Sequence, residues 1–202
     1  MKTVYFIRHG YALHNKLFHI IGKSAYKQFR DTHLLYEGIK QAKHLGKTWD
    51  KINDVELVVT SPCARTIETT MHIFKNRIGK LPCNYISNYN CSFPVIAKDF
   101  LIEYPMGTDL CNRRKDIITL KYLYPYIDFS EINDDVLPWS TKKETLEELN
   151  GRIENMIQWI KQRDEKIIAI VSHSSFISQY KDNAINDETN ELLHCHPYKI
   201  EI

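Results

Sequence analysis

Three short segments of this chain are apolar almost without interruption, and each ends in residues able to bind or attack an anion. Lys2 to Ile7, Val55 to Thr60 and Ile167 to Ser172 are rich in β-branched and aromatic residues, a composition that favours strands. They lack the polar alternation of a sheet with one wet face. Both faces must therefore be covered, as in a mostly parallel sheet flanked by helices. Directly after them stand Arg8-His9-Gly10, Ser61-Pro62-Cys63-Ala64-Arg65-Thr66 and His173-Ser174-Ser175. Open α/β sheets carry their reactive groups at the carboxyl ends of strands. Parallel pairing would thus bring two histidines and two arginines to one edge.

The rest of the chain fits around such a sheet. Pro94 to Ala97 reads as a further strand, and Leu192 to Ile202 as a last, edge strand with Pro197 at a bulge or an unpaired position. Ile39, Ala42, Leu45 and Trp49 recur at helical spacing over 38–49. Pro62 suits the first turn of a helix through Ile67, Met71 and Phe74. Leu146, Leu149, Ile153, Ile157 and Ile160 share one face of a helix over 142–163, opened by a capping box at Thr141-x-x-Glu144. Residues 110–124 could be helical, and 125–138 read as irregular. The expected architecture is a three-layer α/β/α sandwich with a mostly parallel central sheet, one domain over 1–202, and a small cap insertion over about 104–141. The long connection from 16 to 31 is expected to line a site.

Several functional classes fall away. A formal net charge of only +2 excludes wholesale nucleic-acid binding, so attraction for anions must come from a local cluster. No apolar run has the length of a membrane span, and Met1-Lys2 leads straight into a strand without a secretory signal. Cys63, Cys83, Cys91, Cys111 and Cys195 form an odd, scattered set, which points to a reducing, cytoplasmic setting. A cysteine phosphatase with a C-x5-R loop is excluded, because the residues six positions on are Thr69, Tyr89, Ala97, Ile117 and Glu201. His194-Cys195-His196 invites a metal reading, but neighbours on a strand face opposite ways and no matching ligand pair stands elsewhere. His14, His19, His33, His44 and His72 are expected at the surface or partly buried. The basic run Arg113-Arg114-Lys115 is either a solvated helix face or a clamp for a second anionic group on a substrate.

The clustered arginines and histidines suit a phosphoryl group. Guanidinium forks bond phosphate oxygens in pairs, and free N–H groups at helix starts after Gly10, Pro62 and His173 would add donors. In order along the chain, Ile7-Arg8-His9-Gly10 with Asn15, Thr60-Ser61-Pro62-x-x-Arg65-Thr66 and Val171-Ser172-His173-Ser174 resemble the motifs of the histidine phosphatase superfamily, the phosphoglycerate-mutase-like fold. The segment 31–46, through Gly38, Gln41-Ala42 and Leu45-Gly46, resembles the family's early helix.

The resemblance implies that His9 is the nucleophile and becomes phosphorylated. Arg8, Arg65 and His173 would hold the phosphoryl oxygens, with Asn15 a further contact and the Ser174 backbone N–H a weaker one. The nearby arginines disfavour a protonated His9, which keeps a lone pair for attack. Glu103, after Phe100-Leu101-Ile102, matches the family's general acid; otherwise it is a solvated loop carboxylate. The implied activity is hydrolysis of phosphomonoesters, on a small phosphorylated substrate or a phosphoprotein, with no metal or other cofactor. Two alternatives stay open: a mutase that returns the phosphoryl group to another hydroxyl, and a non-catalytic module that binds phosphorylated ligands or a protein. Tyr11, the Ser174-Ser175 pair and Leu35-Tyr36-Glu37 depart from the family pattern, which leaves the shape of the substrate pocket unspecified.

Overall fold

The computed structural model describes residues 1–78, 93–134, 142–185 and 191–202. The proposed Thr141 cap, Pro138, Cys83 and Cys91 lie outside the described residues. Five strands pair in one sheet: β1 (Thr3–Arg8), β2 (Leu57–Thr60), β3 (Val95–Ala97), β4 (Ile167–Ser172) and β5 (Pro197–Glu201), in the order β3-β2-β4-β1-β5. All neighbours are parallel except β5, which runs antiparallel to β1 along the edge. Pro197 stands at the first position of β5, where its missing N–H costs the ladder least.

Helices cover both faces, as uninterrupted apolar strands require. On one face α2 (Tyr36–Thr48), α3 (Ala64–Ile73) and α4 (Ile117–Leu123) bury Ala42, Leu45, Ile67, Ile73 and Leu120 against Ile7, Val58, Ala169 and Val171. On the other, α5 (Leu146–Gln162) and α6 (Ser174–Asp182) bury Leu149, Ile153, Met156, Ile160, Phe176 and Ile177 against Val4, Phe6, Val59 and Ile170. Alternate residues of each strand feed the two cores, because successive side chains leave a strand on opposite faces. Among the described residues, no helix is long and apolar enough to cross a membrane.

Five local expectations are corrected. The helix expected from 142 starts at Leu146, with Thr145 and Glu148 forming the capping box. Glu144 pairs instead with Arg152, and Leu146 is exposed while Met156 fills the core. Pro62 precedes the cap Cys63 and is not in the first turn of α3. The connection after Gly10 holds a helix, α1 (Leu13–Ile21), and a 3-10 turn over Gly22–Lys27. The stretch 110–124 is broken into a 3-10 turn (Leu110–Asn112) and α4. Its break holds Arg114, buried in ion pairs with Asp99 and Asp134. Arg114 is therefore neither a solvated residue nor a substrate clamp; it ties the 110–134 segment to the turn after β3.

Candidate active site

Strand register sets where the site forms. Arg8 pairs with Ser172 and Thr60 with Val171, so the three strands end level. The His9 N–H bonds the Ser172 carbonyl at 3.0 Å, and the Ser61 N–H bonds that of Val171 at 3.0 Å. His9, Ser61 and His173 therefore emerge together. The chain can turn there because Gly10 lies against the start of α2: a Cβ on Gly10 would come within 2.6 Å of the Gly38 carbonyl oxygen. Only glycine allows that approach.

His9 is buried, and both ring nitrogens are engaged. Its Nδ1 lies 2.8 Å from the Gly10 carbonyl oxygen. A carbonyl can only accept, so Nδ1 carries the proton and Nε2 keeps its lone pair. The Arg65 Nε–H donates to that Nε2 at 3.3 Å. Arg65 is fully buried. Its other two nitrogens donate to the Cys111 carbonyl at 2.7 Å and the Asn112 Oδ1 at 2.8 Å. Asn112 is held in turn by the Pro105 carbonyl. The 3-10 turn over Leu110–Asn112 thus aims the guanidinium, a service the sequence did not reveal.

The His173 ring stands 5.3 Å from that of His9 at 65°. Its Nε2 is 2.9 Å from Ser61 Oγ, and its Nδ1 is buried with no partner. The Arg8 guanidinium bonds the Leu192 carbonyl and the Glu191 carboxylate, while its Nε is buried and unpartnered. His14 and His194 also join the cluster, their rings 5.5 Å and 5.7 Å from that of His9. The expectation for His14 is corrected: it is buried and bonded at Nδ1 to Thr32 Oγ1, 2.6 Å away. Helical placement on the inner side of α1 turns it inward. His19 and His44 are exposed, and His72 is partly buried.

Burial dominates the electrostatics. It pushes His9, His14 and His173 well below the usual histidine range, and the Arg65 charge lowers each further. The Glu103 carboxyl is raised, with burial the largest cause, opposed by hydrogen bonds and by Arg65. Its oxygens accept from the N–H groups of Tyr104 at 2.8 Å, Phe176 at 3.1 Å and Ser175 at 3.3 Å. Glu103 thus faces the start of α6, one residue after His173, and is not a solvated loop carboxylate. Arg152 braces its lead-in by donating to the carbonyls of Phe100 and Ile102.

The helix starts are less open than expected. The Ala64 N–H of α3 donates at 2.7 Å to Asp31 Oδ1, and the Ala12 N–H before α1 donates at 3.0 Å to Asn15 Oδ1. Buried helix starts must satisfy their orphan N–H groups, and side chains do so here. Asn15 thereby spends its oxygen on a cap. Ser174 opens α6 and is buried. The Cys63 thiol is buried and pushed up to about 12 by desolvation, which makes it a packing residue. His194 turns to the His9 carbonyl while His196 packs on the Tyr198 ring. Among the described residues, no group of three or more His, Cys, Asp or Glu could hold a metal ion.

A parallel sheet with this His-Arg cluster at its carboxyl edge defines a class. The histidine phosphatase superfamily (branch 1) profile matches residues 4–199, and the chain belongs to that family. Phosphoglycerate mutase-like protein 1 of Arabidopsis thaliana is 32% identical, over 97% of this chain and 74% of the relative. A second Arabidopsis phosphoglycerate mutase-like protein is 34% identical, over 95% and 79%. Among solved structures, the ecdysone phosphate phosphatase of Bombix mori superposes with a TM-score of 0.65, at 14% identity over 100% of this chain and 89% of that one. The alpha-ribazole phosphatase of Shigella flexneri gives 0.61, at 20% identity over 99% and 90%. At such identities the structures speak for the fold alone.

Proposed function

We propose that the chain hydrolyses phosphomonoesters through a covalent phosphohistidine at His9, without a metal. The observation that carries this reading is the state of the His9 ring. Its Nδ1–H is tied to Gly10, and its Nε2 lone pair meets a guanidinium, while two further buried nitrogens, Arg8 Nε and His173 Nδ1, have no protein partner. Buried donors left unmade are costly, and three phosphoryl oxygens would satisfy them. Ser61, donating its hydroxyl proton to His173 Nε2, would leave Nδ1–H as the donor.

In the first step His9 Nε2 attacks phosphorus, the ester P–O bond breaks, and Glu103 gives its proton to the leaving oxygen. In the second, water attacks phosphorus, its proton passes to Glu103, and the P–N bond breaks to release inorganic phosphate. The positive pocket stabilises the charge on the equatorial oxygens through both displacements. Burial supports the roles of both residues, because it keeps His9 neutral and keeps Glu103 protonated to a higher pH than a free carboxyl. A mutase would share the first step and differ in the acceptor, so 3-phosphoglycerate with catalytic 2,3-bisphosphoglycerate is the discriminating assay. Isomerisation faster than phosphate release would replace hydrolysis as the function.

Two substitutions probe the roles. Glu103→Gln is expected to slow turnover of alkyl phosphates by about 10²–10⁴ and to spare 4-nitrophenyl phosphate, whose leaving group needs no proton. Equal losses on both, measured as kcat/KM, would assign Glu103 a structural role. Arg65→Lys keeps the charge but loses the fork that reaches His9, Cys111 and Asn112 at once. We expect kcat to fall by about 10²–10³. A fall of less than threefold would remove Arg65 from the phosphoryl cradle.

A further inference from the structure

The His194-Cys195-His196 segment has no part in the mechanism above, yet it grips the nucleophile's backbone. His194 Nδ1 is 2.6 Å from the His9 carbonyl oxygen, so the proton is on His194 and the carbonyl accepts. The same peptide unit is held at its other end, where the Gly10 N–H donates at 3.0 Å to Thr69 Oγ1. The Thr69 hydroxyl proton is committed to the Arg65 carbonyl at 2.6 Å, which leaves its oxygen free to accept. The next peptide unit is held as well. Its Gly10 carbonyl accepts from His9 Nδ1 at 2.8 Å, and its Tyr11 N–H donates to Gln41 Oε1 at 2.8 Å.

His194 reaches this place by its own anchors. It forms a bridge with Arg8, and the following Cys195 N–H donates to the Arg8 carbonyl at 2.9 Å. Cys195 adopts a left-handed φ of 52°, a strained turn for a side-chain-bearing residue. The His194 ring stands beside His9 and edge-on to Tyr11, with centroids 5.7 Å and 5.8 Å away. Those contacts use the ring's shape, and the bond to His9 uses its donor.

We propose that His194 is a positioning residue that fixes the tautomer of His9 by pinning the His9–Gly10 peptide. Two contacts hold the proton at His9 Nδ1: the Gly10 carbonyl accepts it at 2.8 Å, and the Arg65 Nε–H occupies the Nε2 lone pair at a longer 3.3 Å. The peptide carrying that carbonyl is anchored at the Tyr11 N–H by Gln41. The His9–Gly10 peptide, which sets where the His9 ring stands relative to it, is fixed from its two ends by His194 and Thr69. Without the His194 donor the His9 carbonyl is left unsatisfied and the peptide can turn. Nδ1 then loses its acceptor, only the long bond from Arg65 still favours an unprotonated Nε2, and the second tautomer becomes populated. Nε2 carries its lone pair only part of the time, so attack slows while substrate binding is kept. This role rests on His9 being the nucleophile, but the tautomer itself does not.

The test separates ring shape from donor. Asparagine places an amide N–H where imidazole has Nδ1–H, whereas phenylalanine keeps the ring and loses the donor. Long-range 1H–15N spectra of the substrate-free protein should show His9 in one form, protonated at Nδ1, in the wild type and in His194→Asn. His194→Phe should show both tautomers, with kcat for 4-nitrophenyl phosphate down roughly tenfold or more and KM within about twofold. His194→Asn should recover kcat to within about threefold. A single His9 tautomer in folded His194→Phe overturns the proposal, as do equal losses of kcat in the two variants. Should His194→Phe not fold, Thr69→Val releases the other end of the same peptide, and an unmixed His9 tautomer there overturns it equally. A wild type that turns over no phosphomonoester counts against the proposed hydrolysis, while the spectra still decide the role of His194.

Discussion

His9→Ala is expected to abolish phosphomonoester turnover, with kcat/KM down by at least about 10⁴-fold, while the protein folds and melts within a few degrees of wild type. The loss is large because no neighbour can take over. His14 is tied to Thr32 and His194 to the His9 carbonyl, and His173 bonds Ser61. Folding survives because His9 lies at a strand end, where the main-chain bond to Ser172 does not need the ring. The ring moreover is desolvated, so its removal relieves a cost as well as leaving a small cavity. Acid quenching and 31P spectroscopy of wild-type protein mixed with substrate should reveal an acid-labile, base-stable phosphoramidate, absent from the variant. Residual turnover above about 1% of wild type would transfer the nucleophile's role elsewhere.

The parts of this site that were legible in the sequence are those that strand geometry delivers. A near-continuous apolar strand announces its own end, and register does the rest, which is why the sequence alone brings Arg8, His9, Arg65 and His173 to one sheet edge. Glu103 required the family pattern, because a carboxylate after a short strand has no signature of its own. What stayed hidden depends on contacts between segments far apart in sequence. Asn112 aims Arg65 from 47 residues away, and Asp31 caps α3 from 33. Arg114 looked like part of a basic surface because its partners Asp99 and Asp134 stand 15 and 20 residues off. Composition gave no hint that a run of three cations would contain a buried one.

The misread helix boundaries have a local cause. Thr141-x-x-Glu144 and Thr145-x-x-Glu148 offer capping boxes one turn apart, and a single turn of helix separates them. The second wins because Glu144 is taken by Arg152, which itself braces the turn leading to Glu103. A tertiary ion pair thus sets where α5 begins. The connection after Gly10 was harder to read as helix, since α1 has neither an acidic first turn nor a side-chain cap at Ala12. Its start depends on Asn15 reaching back to the Ala12 N–H.

Acid should unfold this protein at a higher pH than its carboxylates alone would dictate. His9, His14 and His173 are held well below the usual histidine value of 6.5, chiefly by burial, and His194 is lowered to about 4 for the same reason. The unfolded chain binds these protons near pH 6.5, and the native chain does not. Stability from neutral histidines is therefore fully present above that pH and is lost as pH falls toward the folded values, at about 1.4 kcal/mol per pH unit for each proton. His33, raised by its bond to Glu68, works in the opposite direction, as do the raised carboxyls of Glu103, Asp31 and Asp99 toward the acid end. Urea midpoints should be level from pH 8 to 7 and fall steeply from pH 6.5 to 5, with an uptake of more than one proton on unfolding. His194→Asn should flatten the slope by about one proton. Midpoints that stay level down to pH 5 would mean that the cluster admits protons in the native state. His9 would then be partly cationic at the same pH, and its lone pair lost to attack, so the stability curve and the acid limb of kcat/KM must move together.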